Sequence, residues 1–125
     1  MKNITKFTML CAIAVIAACQ NKSAKVKSFI DGIYVNHAQS DYGEADDTLT
    51  FTHTNDSHYM IIRNTGYQAI RNGKTLPKKH KLEKAEGDYD SKTNLLNETT
   101  TGRVFRFDPN KGVLMLKQAV YRKIN

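Results

Sequence analysis

The chain contains two thiols, Cys11 and Cys19. Cys11 lies inside an uncharged stretch over 7–18, and Cys19 follows that stretch directly after two small residues, Ala17 and Ala18. Small residues before a cut fit the pocket of a signal peptidase, and a cysteine just after the cut supplies a thiol that can carry a lipid. The chemistry expected at Cys19 is therefore acylation, following cleavage of the bond between Ala18 and Cys19.

Ile16, Ala17, Ala18 and Cys19 resemble the lipobox of bacterial lipoproteins, in which an aliphatic residue and two small residues precede the modified cysteine. The resemblance implies a signal peptide over 1–18 and a covalent lipid on Cys19, with no other cofactor. Ile rather than Leu stands at the aliphatic position, a departure that many such signals tolerate. The alternative is an ordinary secretory signal, which would leave a free thiol at Cys19.

The stretch 7–18 is short for a membrane span. About twelve residues rise roughly 18 Å as a helix, whereas a bilayer core is about 30 Å thick and needs about 20 apolar residues. Because Lys2 and Lys6 precede it, the stretch has the charged start and apolar run of an export signal. The alternative is a buried helix of a cytosolic protein. Cleavage removes Cys11 and acylation uses Cys19, so no disulfide is expected.

The segment 19–28 predicts a tether between the lipid and a domain over 29–125, because it is polar and has no apolar periodicity. By analogy with Gram-negative lipoproteins, aspartate directly after the cysteine marks retention in the inner membrane. Gln20 stands there instead, which favours the outer membrane, with the domain facing the periplasm. The expected location is therefore the cell envelope.

The chain carries 19 Lys and Arg against 12 Asp and Glu, a formal charge of +7, which falls to +5 without Lys2 and Lys6. This mild excess suits anionic envelope surfaces and gives no argument for nucleic acid. The segment 71–84 concentrates the positive charge, and we predict it as the surface that meets a protein or glycan partner. Its cationic members are Arg71, Lys74, Lys78, Lys79, Lys81 and Lys84. The alternative is a solvated face that keeps an edge strand from pairing.

Two histidines invite a metal interpretation. His53 and His58 flank a predicted turn that contains Asp56, so they could face each other across a hairpin. A zinc site needs three or four ligands, and no cysteine is left to help. We therefore predict ordinary polar residues at a hairpin end and no metal.

Four acidic residues cluster before the second predicted strand. They are Asp41, Glu44, Asp46 and Asp47. Paired carboxylates can cleave glycosides when one of them is desolvated, but a polar loop predicts hydrated carboxylates instead. The sequence shows no nucleophile elbow and no phosphate-binding glycine loop, so we predict no catalytic residue and no enzyme.

Short alternating segments separated by turn residues predict about eight strands and no helix after residue 28. Nine segments are candidates, and for one of them, 79–86, a short helix is the alternative to a strand. They are 32–35, 48–53, 58–64, 67–71, 79–86, 94–99, 103–108, 113–117 and 119–124. Asn72 and Gly73 predict a tight hairpin turn, and 109–112 predicts a second hairpin loop. Short links imply antiparallel neighbours, so we predict an all-β meander that closes into a small barrel.

The early Gly32, Ile33 and Tyr34 and the terminal 121–124 resemble small lipocalin-like domains of bacterial lipoproteins. The resemblance implies a non-enzymatic envelope protein that binds a partner or supports a membrane complex, as in conjugation, secretion or immunity. The alternative is a carrier of a small hydrophobic ligand. Bulky residues are expected to fill the barrel and leave little room for such a ligand. They are Leu49, Phe51, Ile62, Phe105, Phe107 and Leu116.

Overall fold

The computed structural model describes residues 22–125, and the predicted signal peptide with Ala18 and Cys19 lies outside these residues. A helix, α1, covers 22–30 and is followed by nine strands. The strands are β1 (Gly32–Ser40), β2 (Gly43–Asn55), β3 (His58–Arg71), β4 (Lys74–Thr75), β5 (Lys79–Asp90), β6 (Leu95–Glu98), β7 (Val104–Asp108), β8 (Val113–Leu116) and β9 (Ala119–Lys123).

Eight of these strands form a closed antiparallel barrel in which each strand pairs with the next along the chain. The barrel closes where β1 meets β9, with Tyr34 opposite Lys123 and Val35 opposite Arg122. The short β4 only extends the end of β3, pairing Thr75 with Ile70. The predicted all-β meander closing into a small lipocalin-like barrel is confirmed.

Side chains alternate between the inside and the outside of the barrel, as the period of a strand requires. On β2, Leu49 and Phe51 face inwards and are buried. The Phe51 ring packs edge to face with the rings of Phe105 and Phe107, at centroid distances of 5.2 and 5.3 Å. Aromatic and aliphatic side chains therefore fill the interior, as predicted, except that Ile62 lies on the outer face of β3.

The helix α1 closes one end of the barrel. Val26 and Ile30 are buried in the same core as the strands. The Tyr34 hydroxyl donates to the carbonyls of Phe29 and Ile30, at 2.8 and 3.0 Å, and the Lys123 ammonium also donates to the Phe29 carbonyl. These bonds satisfy carbonyls of the last helical turn, which have no partner within the helix. Burial raises the pKa of Tyr34, which therefore stays protonated and able to donate.

The described part of the predicted tether over 19–28 is helical, a feature that its polar composition did not predict, and the tether itself stays a prediction. Residues 22–28 belong to α1, and Val26 and Ile30, four positions apart, lie on the face that meets the barrel. Val26, Phe29 and Ile30 have the i, i+3, i+4 spacing of a helix face, but of these only Val26 falls within 19–28, so that segment on its own shows no helical period. The barrel end supplies the apolar partner that makes this short helix stable.

Two loop predictions are also corrected. Glu44, Asp46 and Asp47 belong to β2, which pairs with β1 and β3 from Gly43 onwards, whereas Asp41 lies in the turn before it. Gly66 does not divide β3, because the ladder with β5 continues through it. Polar residues stay in strand conformation here because neighbours on both sides bind their backbone groups. The predicted turn at Asn72 and Gly73 is confirmed, with φ of 53° and 74°.

The strands differ in length, so the barrel has a tall wall and a low wall. The tall wall contains β1, β2, β3 and β5, with 9 to 14 residues each, whereas β6 to β9 have four or five. At the end opposite α1, β1 continues beyond its pairs with β9, and β5 begins before its pairs with β6. The tall wall therefore projects at this end, which is open.

Candidate functional site

Charged side chains line the open end of the barrel. We call this inward-facing layer the mouth, and its members are Asp47, Arg63, Glu83, Glu98, Arg103 and Tyr121. Two clefts of about 570 and 650 Å³ open here, and both are walled by Arg63 and Arg103. The side chains of these arginines are 24 % and 28 % exposed, so each has part of its guanidinium in contact with solvent.

Asp47 holds Arg63 from the neighbouring strand. The Nε and Nη2 groups of Arg63 donate to both carboxylate oxygens of Asp47, at 2.6 to 3.0 Å. Tyr121 donates its hydroxyl proton to the same carboxylate from β9, and Thr65 donates from β3. The Asp47 bond raises the pKa of Arg63, and burial raises the pKa of Tyr121 to about 12. Arg63 and Tyr121 therefore both remain donors to Asp47 at neutral pH.

Arg103 lies between two other carboxylates. Its Nη1 is 3.3 Å from Oε2 of Glu83 and 3.6 Å from Oε2 of Glu98. Glu83 also accepts a bond from the Lys81 ammonium, which lowers the pKa of Glu83. Glu98 is buried and accepts a bond from Thr101 on Oε1, while its Oε2 has no hydrogen-bond partner among the described residues. Each arginine of the mouth thus lies beside at least one carboxylate, Arg63 beside Asp47 and Arg103 beside Glu83 and Glu98.

The arrangement can bind an oxyanion. Arg63 uses Nε and Nη2 for Asp47, and its Nη1 makes no hydrogen bond within residues 22–125. A guanidinium offers five N–H donors in a planar fork that matches carboxylates, phosphates and sulfates. The mouth therefore offers fixed donors in a partly dehydrated place, where charge interactions are stronger than in bulk water.

Two of the six predicted interaction residues lie at the mouth. Lys79 and Lys81 contribute to the cleft that Arg63 and Arg103 line. Lys78 lies elsewhere, with its ammonium 3.1 Å from Asp46.

The other three predicted residues lie farther from the mouth. Arg71 and Lys74 face each other in the hairpin at the tip of the tall wall. Lys84 lies on the outer face of β5, beside a smaller cleft of about 310 Å³ that Met60 also lines. The structure therefore divides the predicted surface into four places, and only Lys79 and Lys81 lie beside Arg63 and Arg103.

The histidines that invited a metal interpretation lie near the turn between β2 and β3. His58 is 2.9 Å from Asp88 and 3.5 Å from Glu86, and the bond to Asp88 raises the pKa of His58. His53 Nε2 instead contacts the carbonyl of Asp56. In the part of the chain that the structure describes, no group of three or more His, Cys, Asp or Glu side chains could hold a metal ion.

Sequence reasoning missed Arg63 and Arg103 and placed Asp47 in a hydrated loop. The alternation of side chains along a strand contained the signal. Asp47 lies two residues from Leu49, and Arg63 lies two residues from Ile61, so each charged residue faces the same side as its apolar neighbour. Along each strand, every second residue faces inwards, and this alternation continues past the last apolar residue. Following it would have placed both Asp47 and Arg63 inside the barrel.

No protein-family model, curated protein or solved structure matches this chain. Among residues 22–125, no helix combines the length and the apolar character that crossing a bilayer requires.

Proposed function

We propose that this protein is a non-enzymatic lipoprotein of the cell envelope, anchored through a lipid on Cys19, whose barrel mouth binds an acidic protein or glycan partner. The observation that carries the binding proposal is the convergence of Arg63, Arg103, Lys79 and Lys81 on one open end of the barrel. Such a cluster favours a partner rich in carboxylate, sulfate or phosphate groups, and in the periplasm acidic glycans and acidic protein segments carry these groups.

The anchor proposal is supported by the lipobox pattern and by the position of α1. Residue 22 is already helical, and three peptide units join it to Cys19, a reach of about 11 Å at most. Because α1 packs on the closed end, a lipid on Cys19 would hold that end towards the membrane. The mouth would then point away from the bilayer, where a partner can approach it.

The alternative, a carrier of a small hydrophobic ligand, has less support. Phe51, Phe105 and Phe107 occupy the barrel interior, and α1 covers one end. A ligand would have to bind at the mouth, whose walls are charged. That environment suits a polar anion better than an apolar molecule.

The binding proposal is tested by reversing charge at the mouth. We expect Lys79→Glu combined with Lys81→Glu to weaken binding of polyglutamate and of a sulfated oligosaccharide at least about tenfold. The double variant Arg71→Glu with Lys74→Glu makes the same charge change at the tip of the tall wall, outside the mouth. The measurement is a titration of the full chain, purified in detergent, at two salt concentrations.

Arg71→Glu with Lys74→Glu should retain most of the affinity. Equal losses in the two double variants would show that binding depends on net charge alone, and would remove the mouth from the proposal. Unchanged affinity after reversal at Lys79 and Lys81 would have the same consequence.

A further inference from the structure

The strand β5 has an open edge. It pairs with β3 from Lys79 to Asp88, but on its other side β6 pairs only with Gly87 to Asp90. The last bond across that side joins the Thr99 amide to the Glu86 carbonyl. Within the described chain, the part of β5 before Glu86 therefore has a strand neighbour on one side only.

The direction of the free backbone groups follows from the ladder. The Glu86 carbonyl points away from β3, and in an antiparallel pair every second residue points the same way. His80, Leu82 and Lys84 therefore direct their N–H and C=O groups outwards. None of these groups makes a hydrogen bond to another residue of 22–125.

The open edge lies between two clefts. Lys79 and Lys81 belong to the cleft of about 570 Å³ at the mouth, and Lys84 lines the outer cleft of about 310 Å³ with Met60. A strand added at this edge would direct alternate side chains into the two clefts. Backbone pairing with side-chain pockets on both faces is the geometry of peptide recognition by strand addition.

The positive charge of the β5 edge favours an acidic segment as the added strand. Lys79, Lys81 and Lys84 are positive on both faces of the strand, and the single acidic residue between them, Glu83, is already bound by Lys81 and Arg103. A second copy of the same edge would be repelled, which is how edge lysines prevent self-association. An extended acidic segment would be attracted on both faces.

We propose that the β5 edge between Lys79 and Ala85 binds an extended acidic segment of a partner protein as an added strand. This inference rests on the proposed function, since it identifies the acidic partner as a protein and the contact as backbone pairing. Arg63 and Arg103 would meet the acidic side chains that point into the mouth.

The test uses a peptide of alternating Glu and Val and the full chain in detergent. Leu82→Pro removes one outward N–H without taking a bond from the β3 ladder, and proline is accepted at such edge positions. Leu82→Ala keeps the N–H and removes the same side chain. We expect about a tenfold loss of affinity for Leu82→Pro and a change of less than about twofold for Leu82→Ala.

Two further measurements complete the test. Hydrogen exchange at the amides of His80, Leu82 and Lys84 should slow when the peptide binds, and unchanged exchange in β7 to β9 should show that Leu82→Pro is folded. A peptide N-methylated at alternate residues keeps its charge but cannot pair along one edge, so it should bind at least about tenfold more weakly.

The outcomes separate this inference from the proposed function. Equal binding of the methylated and unmethylated peptides, or of the Leu82→Pro variant and the parent, would overturn strand addition while the mouth remained the acidic binding site. Binding of the sulfated oligosaccharide alone would do the same. If neither the peptide nor the oligosaccharide bound, both proposals would fail.

Discussion

Asp47 is the residue on which the mouth depends most. Its carboxylate is buried, and it receives bonds from Arg63, Thr65 and Tyr121, which come from two different strands. Such a group stabilises a fold only while its partners are present, because removing one of them leaves an uncompensated charge in a dehydrated place.

We expect Asp47→Ala to lower the free energy of unfolding by about 3 kcal/mol, at the low end for a broken buried pair because Arg63 keeps some contact with solvent. Tyr121→Phe removes only one hydrogen bond to the carboxylate and should cost about 1.5 kcal/mol. Urea unfolding of both variants provides the measurement.

Asp46→Ala is the matched control, since Asp46 lies next to Asp47 in the chain and its carboxylate is half exposed. Its bonds to His37 and Lys78 lower the pKa of Asp46, but they lie at the surface, where ion pairs contribute little. Equal destabilisation by Asp46→Ala and Asp47→Ala would contradict the role given to the buried pair.

Among the secondary-structure elements, α1 covers and closes one end of the barrel. Ile30 is fully buried, and hydrogen bonds from Tyr34 and Lys123 hold the end of the helix. The Lys123 ammonium also lies 4.3 Å from the centre of the Phe29 ring, a favourable cation–π distance. The helix is thus part of the folded domain.

We expect Ile30→Ala to cost about 3 kcal/mol of unfolding free energy, because it leaves a cavity between α1 and the barrel. Lys27→Ala changes an exposed position of the same helix and should leave the unfolding midpoint nearly unchanged. Thermal and urea unfolding monitored by circular dichroism would measure both. A negligible effect of Ile30→Ala would mean that 22–30 is a spacer after all.

The whole molecule has a closed end and an open end that are far apart. The 14 residues of β3 span about 45 Å at the rise of an extended strand, from the turn at His58 to the tip at Arg71. The loop at Asn110 lies at the closed end, since Lys25 of α1 donates to the Asn110 side chain at 2.6 Å. A lipid anchor next to α1 therefore implies a definite orientation on a membrane.

We expect a fluorophore on Lys111→Cys to be quenched by spin-labelled lipid in vesicles, and the same fluorophore on Lys74→Cys to be quenched far less. Lys111 follows Asn110 in the loop that contacts α1, and Lys74 lies at the far tip of the tall wall. Steady-state fluorescence of each labelled protein on vesicles measures the difference.

Cys19→Ser is the control for the anchor, because it removes the acylated thiol and should release the protein from vesicles and abolish palmitate labelling. A Cys19→Ser protein that stayed on the membrane would refute the anchor. Stronger quenching at position 74 than at position 111 would refute the orientation while leaving the anchor in place.

The sequence by itself determined the features that depend on near neighbours. Alternation at 48–53 predicted a strand with Leu49 and Phe51 on the inner face, and the left-handed turn at Asn72 and Gly73 was predicted from the residues that tolerate positive φ. The strand order also followed, because short links leave few choices besides antiparallel neighbours. These are local properties of the backbone and of residue spacing.

Only the tertiary structure decided which residues form the mouth and where α1 packs. Asp47 and Tyr121 are 74 positions apart and meet because β1 closes the sheet onto β9 with one particular pairing. Likewise, Val26 is an isolated apolar residue in the sequence, and only the folded chain packs it into the core at the end of the barrel. Contacts of this kind depend on the pairing register and on closure, and a shift of one residue would turn every inward side chain outwards.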